Sequence, residues 1–330
     1  MIKTILMTGG AGFIGHHVAE HLLLNTDHNL VFLDRLDISG NLNRIAEVLE
    51  RDPSFKARCK FIFHDLKAEI NDYLGSQIGC VDVIIHLAAG THVDRSITNP
   101  LEFVYDNVVG TANLLEFARS RDIEQMIYFS TDEIFGPAPK GVMYKEWDRY
   151  NSGNPYSATK AGAEELCLAY HNTYKTPVKI THCMNIFGER QHPEKFIPMT
   201  IANVRDGKTV IVHADKTKTI SGSRFYIHAR NVANALMFIM DKGVAGDKYN
   251  IVGDREVSNL ELAQLIADIQ GKTLYYEMVD FHSSRPGHDL RYALDGTKLK
   301  EMGWNIPMTF DASLRSTINW SLKHSNKWLI

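Results

Sequence analysis

Cysteine is scarce in this 330-residue sequence. The four residues, Cys59, Cys80, Cys167 and Cys183, form no CxxC pair, which speaks against a zinc site or a disulfide framework and for a reducing, cytoplasmic setting. Long apolar runs are missing too. No stretch approaches the roughly 20 apolar residues of a membrane span, and the opening MIKTILMTGG is broken by Gly9 and Gly10 before it builds a signal peptide's apolar core. Net charge is nearly absent: 36 Lys and Arg against 39 Asp and Glu leave −3. That excludes a broad basic face for nucleic acid and leaves a small anionic ligand held by local charge. Fifteen histidines are present, but the His16-His17 pair sits on the first helix and His86 at a strand end, and no metal site is expected.

What is present is the composition of an ordinary globular protein, 44% apolar and 23% charged. The length suggests one large α/β unit with a smaller appended part, or two domains sharing a cleft. Short β-rich runs alternate with helical patterns through the first half, as βαβ units do. Strands are predicted at Ile2–Met7, Leu30–Leu33, Phe61–Phe63, Val81–Leu87, Met126–Ser130 and Val178–Cys183, mostly apolar because both faces of such strands are covered. Helices are predicted at Phe13–Leu24, Leu101–Arg119 and Tyr156–Tyr174. After about Asn185 the alternation loosens, with helices near Pro198–Arg205, Asn231–Met240 and Asn259–Ile269 and a strand at Tyr249–Val252. The expected fold is α/β: a Rossmann-type doubly wound parallel sheet over residues 1–184, with part of 225–255 returning to it, and a smaller C-terminal lobe over 185–330.

The first strand runs into Thr8-Gly9-Gly10-Ala11-Gly12-Phe13-Ile14-Gly15, a GxxGxxG turn that opens a helix. Its glycines allow the tight turn, close approach of backbone to a pyrophosphate and close helix–strand packing, while the helix N-terminus favours the phosphate charge. About 20 residues on, Asp34 ends the second strand, where a carboxylate can accept hydrogen bonds from an adenosine ribose; this favours NAD over NADP. Arg35 beside it weakens that preference, since an arginine can accommodate a 2′-phosphate. Asp65-Leu66 and Leu87-Ala88-Ala89-Gly90 follow the third and fourth strands, at the sheet edge where such folds bind ligands.

Strand five ends in Ser130-Thr131-Asp132-Glu133, a hydroxyl and two adjacent carboxyls at the same edge. Tyr156 and Lys160 stand four apart on one helical face, so the ammonium can sit near the phenol and favour phenolate, a base suited to removing an alcohol proton as hydride leaves for NAD.

Through TGGAGFIG, AAGTHVDRS, STDEIFG, PYSATK, HPEKFIP and RPGHDLRYALD, the chain resembles the extended short-chain dehydrogenase/reductase family and, within it, the dTDP-glucose 4,6-dehydratases. The resemblance spans nearly the whole chain. It implies that Tyr156, supported by Lys160 and Thr131, takes the carbon-4 hydroxyl proton, that Glu133 removes the carbon-5 proton, and that protonated Asp132 donates to the departing carbon-6 hydroxyl. NAD contacts are implied for Phe13, Ile14, Thr91, Tyr156 and Lys160. On the nucleotide-sugar side it implies Thr91 and Thr131 near the hexose, Asn185 and Arg224 at the diphosphate, and Lys195, Phe196, His213 and Asn259 toward the nucleotide, with Arg285 and His288 closing the cleft. Helices Leu101–Arg119 and Tyr156–Tyr174 resemble those that pair into a homodimer interface.

The sequence departs from that pattern at Gly90, where those enzymes carry glutamate, at Ile186 and His213, in the long segment DKTKTISGS before Arg224, and at Phe225-Tyr226. These changes leave the nucleotide open among dTDP, UDP, CDP and GDP. Two other readings share NAD and the Tyr-Lys pair: a nucleotide-sugar 4-epimerase, against which Asp132-Glu133 speaks, and a uronate decarboxylase, which needs a further basic group. A non-catalytic NAD-binding regulator is disfavoured by the intact Tyr156 and Lys160.

Overall fold

Six strands in the first 183 residues lie side by side in parallel: β1 (Thr4–Thr8), β2 (Asn29–Asp34), β3 (Cys59–Phe63), β4 (Val83–His86), β5 (Gln125–Thr131) and β6 (Val178–Cys183). The computed structural model, which describes residues 1–280 and 290–329, adds a seventh strand, Lys248–Ile251, paired in parallel with β6 so that Tyr249 faces Thr181. The order across the sheet is Lys248–Ile251, β6, β5, β4, β1, β2, β3. Between β1 and β4 the connections reverse direction, and that point in an open parallel sheet leaves a crevice at the strand C-termini.

Alternation along each strand divides the core in two. Ile5 and Met7 of β1 face one side with Phe32, Ile85 and Ile127, where the helices Phe13–Asn25 and Ala229–Lys242 cover them. Leu6 faces the other side with Val31, Ile84 and Met126, under the helices Gly110–Arg119 and Pro155–Tyr174. The predicted helix Leu101–Arg119 is interrupted. A short helix at Pro100–Phe103 passes into a π-helical turn at Val104–Val109 before α-helix resumes at Gly110. Periodicity does not reveal the interruption, because one wide turn leaves the apolar spacing of its neighbours almost unchanged.

The Pro155–Tyr174 helix has a well-marked start. The Asn154 side chain accepts from the Ser157 amide at 2.9 Å, Ser157 returns to the Asn154 backbone, and Pro155 fills the first helical position, where its missing N–H costs nothing. Midway along it, Glu164 is fully buried, 3.0 Å from Lys248 Nζ of the seventh strand and 2.9 Å from His182 Nε2 of β6. Tyr150 hydrogen-bonds both Glu164 and Lys248. Burial alone raises the carboxyl's pKa, but His182 and Lys248 outweigh it and hold Glu164 at about 2.

The C-terminal part gathers three short strand pairs. Ile186–Phe187 pairs with Ile227–His228, Val210–Ala214 with Tyr276–Asp280, and Ser223–Phe225 with Glu256–Ser258. The helices Phe196–Arg205, Asn259–Gln270 and Phe310–Lys323 bury Ile201, Leu262, Leu314 and Phe310 against Phe187. Among the described residues no helix is long and apolar enough to cross a membrane.

Candidate active site

A cavity of about 310 Å³ lies at the C-terminal edge of the sheet. At one end it meets the glycine turn. Gly9 has φ +71° and its N–H donates to the Leu33 carbonyl, so β1 hands the chain directly over the end of β2. A Cβ at Gly9 would lie 2.8 Å from the Ala88 nitrogen, and one at Gly15 would strike the Gly9 carbonyl oxygen. Gly12 caps the Phe13–Asn25 helix with no side-chain partner for the first N–H groups, which leaves that helix end open to phosphate oxygens. Asp34 closes β2 with its carboxylate accepting from the Ala11 N–H at 3.0 Å and the Leu36 N–H at 2.8 Å; burial raises its pKa against those two bonds. These features fit an adenine dinucleotide.

A buried relay of hydrogen bonds stiffens the crevice. The Ala88 N–H donates to Thr8 Oγ1 at 3.2 Å, so the Thr8 hydroxyl proton is free for His86 Nδ1, 2.7 Å away. His86 Nε2 then donates to Thr111 Oγ1 at 3.0 Å, which donates to the Asn107 carbonyl. Burial pushes the imidazole down to about 3, so the ring stays neutral, as the relay requires. The Asn107 side chain bonds Gly90 through both its groups and reaches Thr159 at 2.9 Å, tying the loop after β4 to the Pro155–Tyr174 helix.

The opposite end of the cavity is acidic. β5 ends at Thr131 and turns at once into a 3-10 helix, Asp132–Phe135, which presents both carboxyls to the cavity. Thr131 Oγ1 donates to Asp132 Oδ1 at 3.0 Å, while Asp132 Oδ2 is buried with no hydrogen-bond partner. Burial lifts Asp132 to about 6, with the nearby positive charge of Arg224 pulling the other way. Glu133 rises to about 7, through burial first and the Asp132 charge second, opposed by the Asn154 amide that donates to its Oε2 at 3.3 Å. The two carboxyls therefore titrate as a pair near neutrality.

Tyr156 and Lys160, four apart on one helix, both border this end. Lys160 Nζ donates to the Phe129 carbonyl at 2.7 Å and lies 4.3 Å from the Tyr128 ring centroid, and no hydrogen bond joins it to the Tyr156 phenol. The buried ammonium is pushed down to about 8. The phenol is raised by burial and by Glu133, with Thr131 opposing. Burial and the neighbouring carboxyls therefore keep the Tyr156 phenol in its protonated form in this site.

The predicted cofactor residues Gly9, Gly12, Phe13, Ile14 and Gly15 line the cavity, as do Asp34 and Arg35, Asp65 and Leu66, and Leu87, Ala88 and Ala89. Of the predicted substrate residues, Thr91, Thr131, Asn185 and Lys195 reach it. Phe196, His213, Arg224 and Asn259 stand outside that lining. Arg224 lies behind the carboxyl pair, donating to the Ser223 and Leu290 carbonyls, its guanidinium 4.6 Å from the Tyr292 ring centroid; Asn259 Oδ1 accepts from the Tyr226 hydroxyl at 2.8 Å. Arg285 and His288 fall outside the described residues. Sequence reasoning missed Asn107 and Asp106, polar residues inside a stretch read as plain helix, and Arg44, a buried guanidinium that lines the cavity and donates to the Ala11, Ser39 and Arg190 carbonyls. His17 and His21 share a spacing that could offer two imidazoles to a metal. His17 instead faces the Glu189 carbonyl and His21 lies beside Asn25, and among the described residues no trio of His, Cys, Asp or Glu is placed to hold an ion.

Comparison with known proteins adds an independent line. A family model described as the NAD dependent epimerase/dehydratase family matches residues 5–252. A dTDP-glucose 4,6-dehydratase of Escherichia coli is 36% identical, the alignment covering 98% of this chain and 93% of that protein. A low-salt glycan biosynthesis protein of Haloferax volcanii is 38% identical over 96% and 98%. Among solved structures, a dTDP-glucose 4,6-dehydratase of Streptomyces venezuelae with NAD bound superposes with a TM-score of 0.88 at 34% identity, covering 98% of both chains.

Proposed function

The chain belongs to the NAD dependent epimerase/dehydratase family, and we infer that it is a nucleotide-sugar 4,6-dehydratase, a hydro-lyase that turns an NDP-hexose into the NDP-4-keto-6-deoxy-hexose. The observation that carries this is the buried pair Asp132 and Glu133 beside Tyr156. Relatives named for dTDP-glucose at about this identity make that sugar the first candidate substrate, with UDP-, CDP- and GDP-hexoses as its counterparts. When bound, NAD supplies the acceptor for hydride from carbon 4 and its donor to carbon 6.

The chain's own groups move the protons. We assign Tyr156 as the acceptor of the carbon-4 hydroxyl proton, with Thr131 and Lys160 fixing its surroundings. Glu133 takes the carbon-5 proton; burial and the Asp132 charge raise it to about 7, which suits a base to neutral operation. Asp132 must carry a proton to give the carbon-6 hydroxyl. In the free site Arg224 holds Asp132 down. Substrate that fills the cavity displaces water from Asp132 and raises it further toward its protonated form. An epimerase has no use for two proton-transfer carboxyls. A decarboxylase needs an additional cation near the sugar's carboxylate.

We further assign residues 1–184, with part of 225–255, to NAD binding and 185–330 to the nucleotide sugar, in a cytoplasmic homodimer. Exposed Leu101, Val104 and Tyr105 next to the Pro155–Tyr174 helix favour an association face there.

The test is incubation with dTDP-, UDP-, CDP- and GDP-hexoses, followed by mass spectrometry for loss of one water. With the active donor, Asp132→Asn is expected to slow elimination about 100-fold or more while oxidation persists, so NADH absorbance accumulates. Equal slowing of both steps would remove Asp132 from the acid role, and no water loss from any donor would sink the lyase reading.

A further inference from the structure

The end of the cavity next to Asp34 carries an arrangement that the dehydratase chemistry does not use. Arg35 follows the ribose-binding position and borders the cavity, where a free guanidinium would welcome a 2′-phosphate. It is not free. Its Nη1 and Nη2 fork onto Asp106 at 2.5 and 2.7 Å, its Nε and Nη2 reach Asp37 at 3.2 and 2.8 Å, and Asp65 stands 3.5 Å from Nη1. Asp106 comes from the π-helical turn 71 residues along the chain. Lys67 joins the group, 2.8 Å from Glu102 and 3.6 Å from Asp65.

The glycine at position 90 makes room for this contact. A Cβ there would lie 3.2 Å from Asp106 Oδ2 and 3.1 Å from the Phe103 ring, so a larger residue would press on the Asp106 carboxylate and the Phe103 ring.

We propose that Asp106 and Asp37 latch Arg35 away from the adenosine 2′-position and so make the site select NAD against NADP, with Asp106 the specificity-determining residue. The inference rests on the NAD-dependent reading above. A bidentate carboxylate satisfies the guanidinium fork in the geometry a phosphate would otherwise take. A dianionic 2′-phosphate would also enter a neighbourhood of five carboxylates, Asp34, Asp37, Asp65, Glu102 and Asp106, against three cations, Arg35, Lys67 and Arg44, the last already bonded to the Ala11 and Ser39 carbonyls. Asp34 gives some preference for the free 2′-hydroxyl; the latch engages the guanidinium that directly follows it in the chain.

The test uses full-length protein stripped of nucleotide and titrated with NAD⁺ and NADP⁺ by calorimetry, which reads binding rather than turnover. For Asp37→Asn and for the Asp37→Asn/Asp106→Asn pair, the NADP⁺-to-NAD⁺ affinity ratio is expected to rise, at least tenfold for the pair. Adding Arg35→Ala to the pair is expected to take that gain away. Asp37 is a third exposed, so its variant reports even if the buried Asp106 change unfolds the protein. An unmoved ratio, or a gain that survives loss of Arg35, overturns the latch while leaving NAD dependence intact. A parent protein that binds neither dinucleotide overturns the cofactor reading and the latch together.

Discussion

Asp132 has no hydrogen-bond partner for one carboxylate oxygen, and its proton affinity is raised for that reason among others. An acid whose folded pKa lies above its unfolded value helps the fold only at low pH: the contribution is complete below the ordinary 3.8 and is lost as pH rises through about 6. At pH 8 the ionised group therefore costs stability, on the order of 3 kcal/mol for a shift of this size. Asp132→Asn is expected to raise Tm at pH 8 and to lose that advantage at pH 3.5. A difference in Tm that does not vary with pH would show that the carboxyl carries no such burden. Tyr156 and Lys160 give the complementary lesson. Their spacing of four correctly placed both on the cavity, yet the long lysine side chain finds the Phe129 carbonyl first. A sequence can put two groups on one face, but it does not state which acceptor lies closest.

At the scale of elements, the six N-terminal strands were legible because apolar runs between turn residues have few alternatives in a βαβ pattern. β6 keeps its predicted bounds and the other ends shift by at most two residues, as for β1, which runs Thr4–Thr8 where Ile2–Met7 is predicted. Two of the short pairs in the smaller lobe were not legible because two or three residues, as in Ile227–His228 or Glu256–Ser258, are too few to show a period, whereas the five-residue strands Val210–Ala214 and Tyr276–Asp280 were long enough and were still missed. The carboxyl pair and the glycine turn stood out as motifs, whereas Asn107 and Asp106 act through a turn type that leaves no mark in composition. The turn at Gly9 is strained for any other residue. Gly9→Ala would meet both a left-handed φ and the Ala88 backbone, and it is expected to cost about 1–3 kcal/mol and to purify without bound NAD. Retention of normal NAD content would show that the loop yields without harm. Lys248→Met removes one partner of a buried pair and leaves Glu164 with His182 and Tyr150. The expected loss is about 3 kcal/mol, read as a lower denaturant midpoint; an unchanged midpoint would mean that His182 alone carries the charge.

For the whole molecule, the cavity draws on the loops after β1, β2, β3, β4, β5 and β6, so a ligand that fills it touches nearly every unit of the sheet. Dinucleotide binding is therefore expected to raise Tm of the entire cooperative transition, with a size that follows the ratio of ligand concentration to Kd. Two separate melting steps, only one of them responsive to NAD⁺, would contradict that. The seventh strand has a consequence for synthesis. As the chain leaves the ribosome, β6 emerges with a bare edge, and its partner at Lys248–Ile251 follows only after 64 intervening residues that begin the smaller lobe. Until then Glu164 also waits for its lysine. The sheet therefore cannot close until the first part of the smaller lobe has been made, and the nascent chain must hold six strands in an incomplete state until Lys248–Ile251 arrives.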